Sequence, residues 1–147
     1  MKTRQRKHQE RGSAVLELAL SVFLLLAVMT GIMEFGRMFY QAAEVANAAR
    51  AGVQWAVVNP GSPNNLTAMQ TAATNDAVNI TGLTATPTEF CECDDGTTVS
   101  CTSGTCATGS VRTYVQVVAT APYATLANYW WMPNSITVGS RAVIRVD

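Results

Sequence analysis

Two sets of residues carry types and spacings that could do chemistry. The first is Gly12-Ser13 followed by Glu17: a glycine closing a basic leader, then a carboxylate at the head of the apolar run Leu18 to Met33. That pattern reads as a segment cut after Gly12 and threaded into a membrane. The second is four cysteines confined between Cys91 and Cys106, at Cys91, Cys93, Cys101 and Cys106. Thiols so grouped either form disulfides in an oxidising compartment or hold a metal. C-x-C plus C-x₄-C departs from the two-residue spacers of zinc knuckles, and an exported segment would not keep its thiolates free. Disulfides are therefore expected. Cys91 and Cys93 lie two apart on one strand face and are not expected to bond each other. Two pairings remain: nested, Cys93–Cys101 with Cys91–Cys106, or its crossed alternative. Spacing does not choose; the nested pairing is the expectation.

Other chemistry is sparse. The lone histidine, His8, lies in the leader. The body thus has no imidazole for a Ser-His-Asp or Cys-His nucleophile or for a histidine-ligated zinc. Glu92, Asp94 and Asp95 lack the spacing of a calcium loop and read as a solvated turn. No catalytic constellation, cofactor site, metal site or small-molecule substrate site is expected, and the chain reads as non-enzymatic.

The element that must position Gly12 and Glu17 is a membrane helix. Net charge is zero over 147 residues, but unevenly spread. Lys2, Arg4, Arg6, Lys7 and Arg11 face only Glu10 in the leader, whereas five arginines face eight acids from Glu34 onward. Basic residues flanking a span stay in the cytoplasm, so the mildly acidic body is expected outside it, and nucleic acid is not an expected partner. Between Ser13 and Met33 the only charge is Glu17. At ~1.5 Å per residue this run reaches ~30 Å, one hydrocarbon thickness. Glu34 and Arg37, three apart, are expected to pair at the outer interface. A carboxylate in hydrocarbon demands a partner or a proton; the plainer reading of Glu17 leaves it at the headgroups.

Helical periodicity continues past the membrane. Phe35, Phe39, Ala42, Ala46, Ala49, Val53 and Ala56 form an expected packing stripe, with Glu34, Arg37, Gln41 and Glu44 broadly opposite. Asn59-Pro60-Gly61 should end the helix. The expected organisation is a leader at 1–12, a long helix at 13–60 (spanning at 13–33, projecting at 34–60), and a head at 61–147. Within the head, Leu66 to Ile80 reads as a second helix capped by Asn64 or Asn65. Phe90 to Thr97 reads as a strand entering an Asp-Gly turn. Two strands of strict alternation follow, at Val111 to Ala119 and Ile136 to Val146. Their apolar face should rest on the helix stripe. The loop Pro122 to Asn134 holds Tyr123, Tyr129, Trp130 and Trp131. These aromatics form either a lid on the small core or a contact surface for another subunit or the membrane.

The stretches R-G-S-A-V-L-E-L (Arg11 to Leu18), E-F-G-R-M-F-Y (Glu34 to Tyr40), N-A-A-R-A-G (Asn47 to Gly52) and the closing S-I-T-V-G-S-R-A-V-I-R-V-D (Ser135 to Asp147) resemble the TadE-like minor pilins, or pseudopilins, of the tight-adherence (Tad/Flp) pilus system. Most of the likeness lies in the N-terminal block, and Leu18 stands where the family more often has an aromatic. The resemblance implies an α+β, pilin-like fold, with a long helix on a small antiparallel sheet. It also implies cleavage by a prepilin peptidase between Gly12 and Ser13. Glu17 would then be the fifth mature residue, neutralising the N-terminal amine of a neighbouring subunit. Partners would be the inner membrane, the peptidase and other pilin and pseudopilin subunits. The chain would be single-pass with its N-terminus cytoplasmic and its head periplasmic, and it could enter a surface pilus. The alternative is an uncleaved single-span inner-membrane protein carrying a disulfide-stabilised periplasmic binding module.

Overall fold

The computed structural model describes residues 3–126, 133 and 135–147, with side chains from Ser13 onward. Tyr129, Trp130 and Trp131 lie outside the described residues. Helix α1 spans Thr3–Val58 and α2 spans Leu66–Asp76. Strands β1 (Thr84–Cys93), β2 (Thr98–Val99), β3 (Val111–Ala124) and β4 (Ser135–Arg145) complete the element order. The chain divides into two compact units, Met1–Arg37 and Met38–Asp147. The first is helical wherever it is described, and every side chain from Ser13 to Thr30 is exposed. The second is α+β.

In the second unit the four strands form one antiparallel sheet in the order β2-β1-β3-β4. Odd-numbered β3 residues from Val115 to Tyr123 are buried. The alternation foreseen for β3 and β4 is the one observed, and its apolar face rests on α1 as expected. Val53 and Ala56 of α1 gather with Met69, Ala73, Ala85, Val115 and Val117. Val45, Ala48 and Ala49 gather with Ala77, Ala119 and Ala121. The α1 residues advance as the β3 numbers fall, so this part of α1 runs antiparallel to β3 and in the same sense as β4.

The packing stripe of α1 differs from expectation. Ala49, Val53 and Ala56 are on it, but Phe35 and Phe39 are exposed, and Val45, Ala48 and Gly52 line the buried face. Nor do all the polar residues stand opposite. Glu34 is buried, at 9% exposure, and the Gln41 amide donates from Nε2 to the Pro122 carbonyl at 2.9 Å. Alanine is small enough that two neighbouring stripes look equally apolar, and only contact with the sheet decides between them.

Helix α1 ends at Val58, where Asn59 donates from both its backbone N–H and its Nδ2 to the Trp55 carbonyl. Asn65 caps α2, its side chain accepting from the Ala68 N–H at 3.1 Å. That helix stops four residues short of the expected Ile80, although Ala77 and Ile80 still pack on the core. Strand β1 starts six residues before Phe90, and β3 runs on through Pro122 and Tyr123 instead of breaking into a loop. Pro122 is tolerated because β1 has ended opposite it, so its missing N–H leaves no ladder position empty. Tyr123 is 2% exposed, a core residue and not part of the loop.

The cysteines pair as Cys91–Cys101 and Cys93–Cys106, which corrects the nested expectation. A nested pairing needs the returning chain to stay antiparallel to β1. Strand β2 lasts only two residues opposite Cys91 and Glu92. The chain then turns about Gly104, whose N–H donates to the Ser100 carbonyl at 2.8 Å. It comes back along β1 in the direction of β1, meeting Cys91 first and Cys93 second.

Candidate functional site

The segment singled out by chemistry lies entirely on α1. The Gly12–Ser13 bond falls inside the helix, and Glu17 follows on an exposed, otherwise apolar surface. From Ser13 onward the helix is long and apolar enough to cross a membrane. Leu16, Leu20, Phe23, Leu24, Ile32 and Met33 all stand more than half exposed. Apolar side chains around the whole circumference of a helix need an apolar surrounding, and hydrocarbon supplies one. Membrane anchoring is the reading of this unit. Glu34 and Arg37 occupy its end, the first buried and the second exposed.

In the second unit one constellation escaped the sequence reading. The Asp94 carboxylate accepts from Arg112 Nε at 2.8 Å on Oδ1 and from the Ser110 N–H at 3.0 Å on Oδ2. It ties the hairpin turn after β1 to the start of β3. The turn itself is as foreseen: Cys93 and Thr97 close it, the Asp95 carboxylate accepts from the Thr97 N–H, and Gly96 takes a φ of +83°. A left-handed residue at that place is what a three-residue hairpin loop requires. Only the register Glu92↔Arg112 brings Arg112 beside Asp94, and no local pattern announces that pairing 18 residues away. Among the described residues, no three acids or thiols gather as a metal site would need.

Arg112 foremost, then the Ser110 N–H, holds the Asp94 carboxyl below its ordinary value of 3.8. A carboxyl with a lowered folded pKa contributes stability that is complete above the unfolded value and lost as pH falls through the folded one. Asp94→Asn is therefore expected to be less stable than wild type at neutral pH. The gap should begin to close as pH falls below about 4, near the unfolded value, and vanish only once the folded carboxyl, held lower, has taken up its proton. Thermal melts from pH 7 to pH 2 read this directly; a gap that stays constant with pH would contradict it.

Residues 12–54 match the family model of TadE-like proteins. The matched stretch begins at Gly12, includes Glu17, Glu34 and Arg37, and reaches past Gly52. No curated protein and no solved structure matches the chain. The match covers less than a third of the chain and marks a likeness of this stretch to TadE-like proteins. The sheet, the disulfides and α2 lie outside the TadE-like stretch, so their roles rest on their own geometry.

Proposed function

We propose that this chain is a minor pilin or pseudopilin, processed after Gly12 and taking part in assembly of a Tad pilus. The observation that carries the reading is Glu17: the one charge between Ser13 and Met33, five residues beyond the glycine that ends a basic leader. The TadE-like match starting at that glycine supports the same reading. Cleavage by a prepilin peptidase frees the amine of Ser13. A carboxylate held in hydrocarbon costs several kcal/mol unless it finds a positive companion, and the new amine of a neighbouring subunit is such a companion. In low dielectric the attraction is strong, with desolvation offsetting part of it. The basic leader stays on the cytoplasmic side, and the disulfide-bearing head lies in the periplasm.

The test is the mass of the protein extracted from membranes. Wild type is expected to begin at Ser13, and Gly12→Leu to retain Met1 or Lys2 at its start. Glu17→Ala is expected to be cut normally yet be lost from the pilus fraction. An intact leader in wild type, in cells that assemble the pilus, would overturn the processing step.

A further inference from the structure

The sheet has two edges, and they are treated differently. On the β1 side, β2 covers Cys91 and Glu92, the disulfide-bound segment covers the cysteines, and Pro87 interrupts the remaining row of donors. These are the devices that keep an edge strand from pairing. On the other side no strand among the described residues pairs with β4 beyond β3. That edge runs for 11 residues without proline, lysine or bulge, since its register with β3 is unbroken from Ser135 to Arg145.

The ladder says which groups face the open side. The Val146 N–H donates to the Thr113 carbonyl at 3.0 Å. In an antiparallel pair such bonds recur at every second residue. Even-numbered residues of β4 therefore turn their backbone groups toward β3. Ser135, Thr137, Gly139, Arg141, Val143 and Arg145 turn theirs to the open edge. The side chains of these odd residues are exposed on the outer sheet face, while Ile136, Val138, Ala142 and Ile144 stay half-buried on the core side. Arg145 is paired with Asp147, whereas Arg141 has no ion-pair partner among the described residues.

We propose that β4 is an acceptor edge for an extended segment of a different polypeptide. That segment alternates apolar residues, on the α1 side of the sheet, with carboxylates, one of which faces Arg141. Backbone bonding gives the attachment, and the alternation gives its specificity. Apolar side chains of the added strand would complete the cover over Ile136, Val138 and Ile144. A second copy of this chain does not meet the charge requirement. Its β4 brings arginines, and its β1 edge is obstructed by Pro87. The inference concerns the head alone and stands whether or not the leader is cut.

The probe is a labelled eleven-residue synthetic peptide alternating valine with glutamate, added to the full chain in neutral detergent and followed by fluorescence anisotropy. A lysine-for-glutamate version serves as the charge control. The glutamate peptide is expected to bind at least about tenfold more tightly than the lysine peptide, and Arg141→Glu to weaken it by a similar factor. Val143→Pro removes an outward N–H without touching the β3 ladder and is expected to abolish binding. A second measurement needs no variant. Amide exchange in wild type should slow about tenfold on peptide addition at Thr137, Gly139, Arg141 and Val143, and not at Val138 or Ala142. Equal binding of the lysine peptide, unchanged exchange at the odd residues, or no binding at millimolar peptide would each overturn the proposal. So would dimerisation of the free chain that Val143→Pro abolishes, since that would make a second copy the occupant.

Discussion

Removing both disulfides is expected to leave the 38–147 unit unable to hold its fold at 37 °C. The bridges close short loops, with sequence separations of 10 and 13. In the chain-entropy account, loops of that size contribute about 3 kcal/mol each. A domain of this size has only about 5–15 kcal/mol in total. The described core has little in reserve, because among the described residues eight of the sixteen buried apolar ones are alanine. Each alanine removes far less area from water than a leucine or phenylalanine would. Single removals should be milder and should distinguish the pairing. Cys91→Ser with Cys101→Ser deletes one bridge, leaves Cys93–Cys106 intact and frees no thiol. Its expected cost is a drop in melting temperature of roughly 10–20 °C. Cys93→Ser with Cys101→Ser breaks both bridges at once and strands Cys91 and Cys106 as two alkylatable thiols. Thiol counts after alkylation, with urea unfolding of the full chain in detergent, check both statements. Two free thiols in the first double variant and none in the second would restore the nested pairing.

The same alanine content explains what could be read from the residues and what could not. The end of α1 was legible because Asn59-Pro60-Gly61 acts locally: Pro60 restricts the residue before it, and Asn59 bonds back to Trp55. A cap at Asn64 or Asn65, of which Asn65 is the one used, and the Asp95-Gly96 turn were legible for the same reason. The alternation in β3 and β4 was legible because one face is buried and the other is not. Strand β1 was not, apart from its last residues. Thr84 to Glu89 forms an edge, and along the register of its core face stand a buried Ala85, a half-buried Pro87 and an exposed Glu89, so no apolar alternation marks it. The face of α1 that meets the sheet was legible only in part, since Phe35 and Phe39 extend the membrane unit's apolar character along a neighbouring stripe. Disulfide connectivity depended on a chain reversal at Gly104 that spacing does not encode. On the candidate site, the Gly12 to Glu17 spacing was visible at once, and the family match covers it. The burial of Glu34 was not visible, because a charged residue at the end of an apolar run is ordinarily solvated.

Gly52→Ala is expected to destabilise the second unit even though it improves the helix. In an exposed helix interior that replacement gains about 1 kcal/mol. Gly52 is buried where α1 approaches both the sheet and α2. A Cβ there would lie 2.9 and 3.2 Å from the two methyl carbons of Val117 and 3.2 Å from the Met69 carbonyl oxygen. None of these neighbours can give way cheaply. Val117 is β-branched and fully buried, and the Met69 oxygen is backbone of α2. Overpacking of this kind costs about 1–3 kcal/mol, so the net effect of alanine should be a loss, and leucine at the same place should prevent folding. Gly36 supplies the control, since a Cβ there would meet nothing within 4 Å. Gly36→Ala is expected to be neutral or stabilising. A double-mutant cycle isolates the cause. Val117→Ala alone leaves a cavity and destabilises, but it also makes room for the new methyl. Gly52→Ala with Val117→Ala should therefore be less destabilised than the sum of the two singles, by more than about 1 kcal/mol. Additive effects, read from urea midpoints of the four proteins, would show that Gly52 is needed for something other than the close contact of α1 with β3.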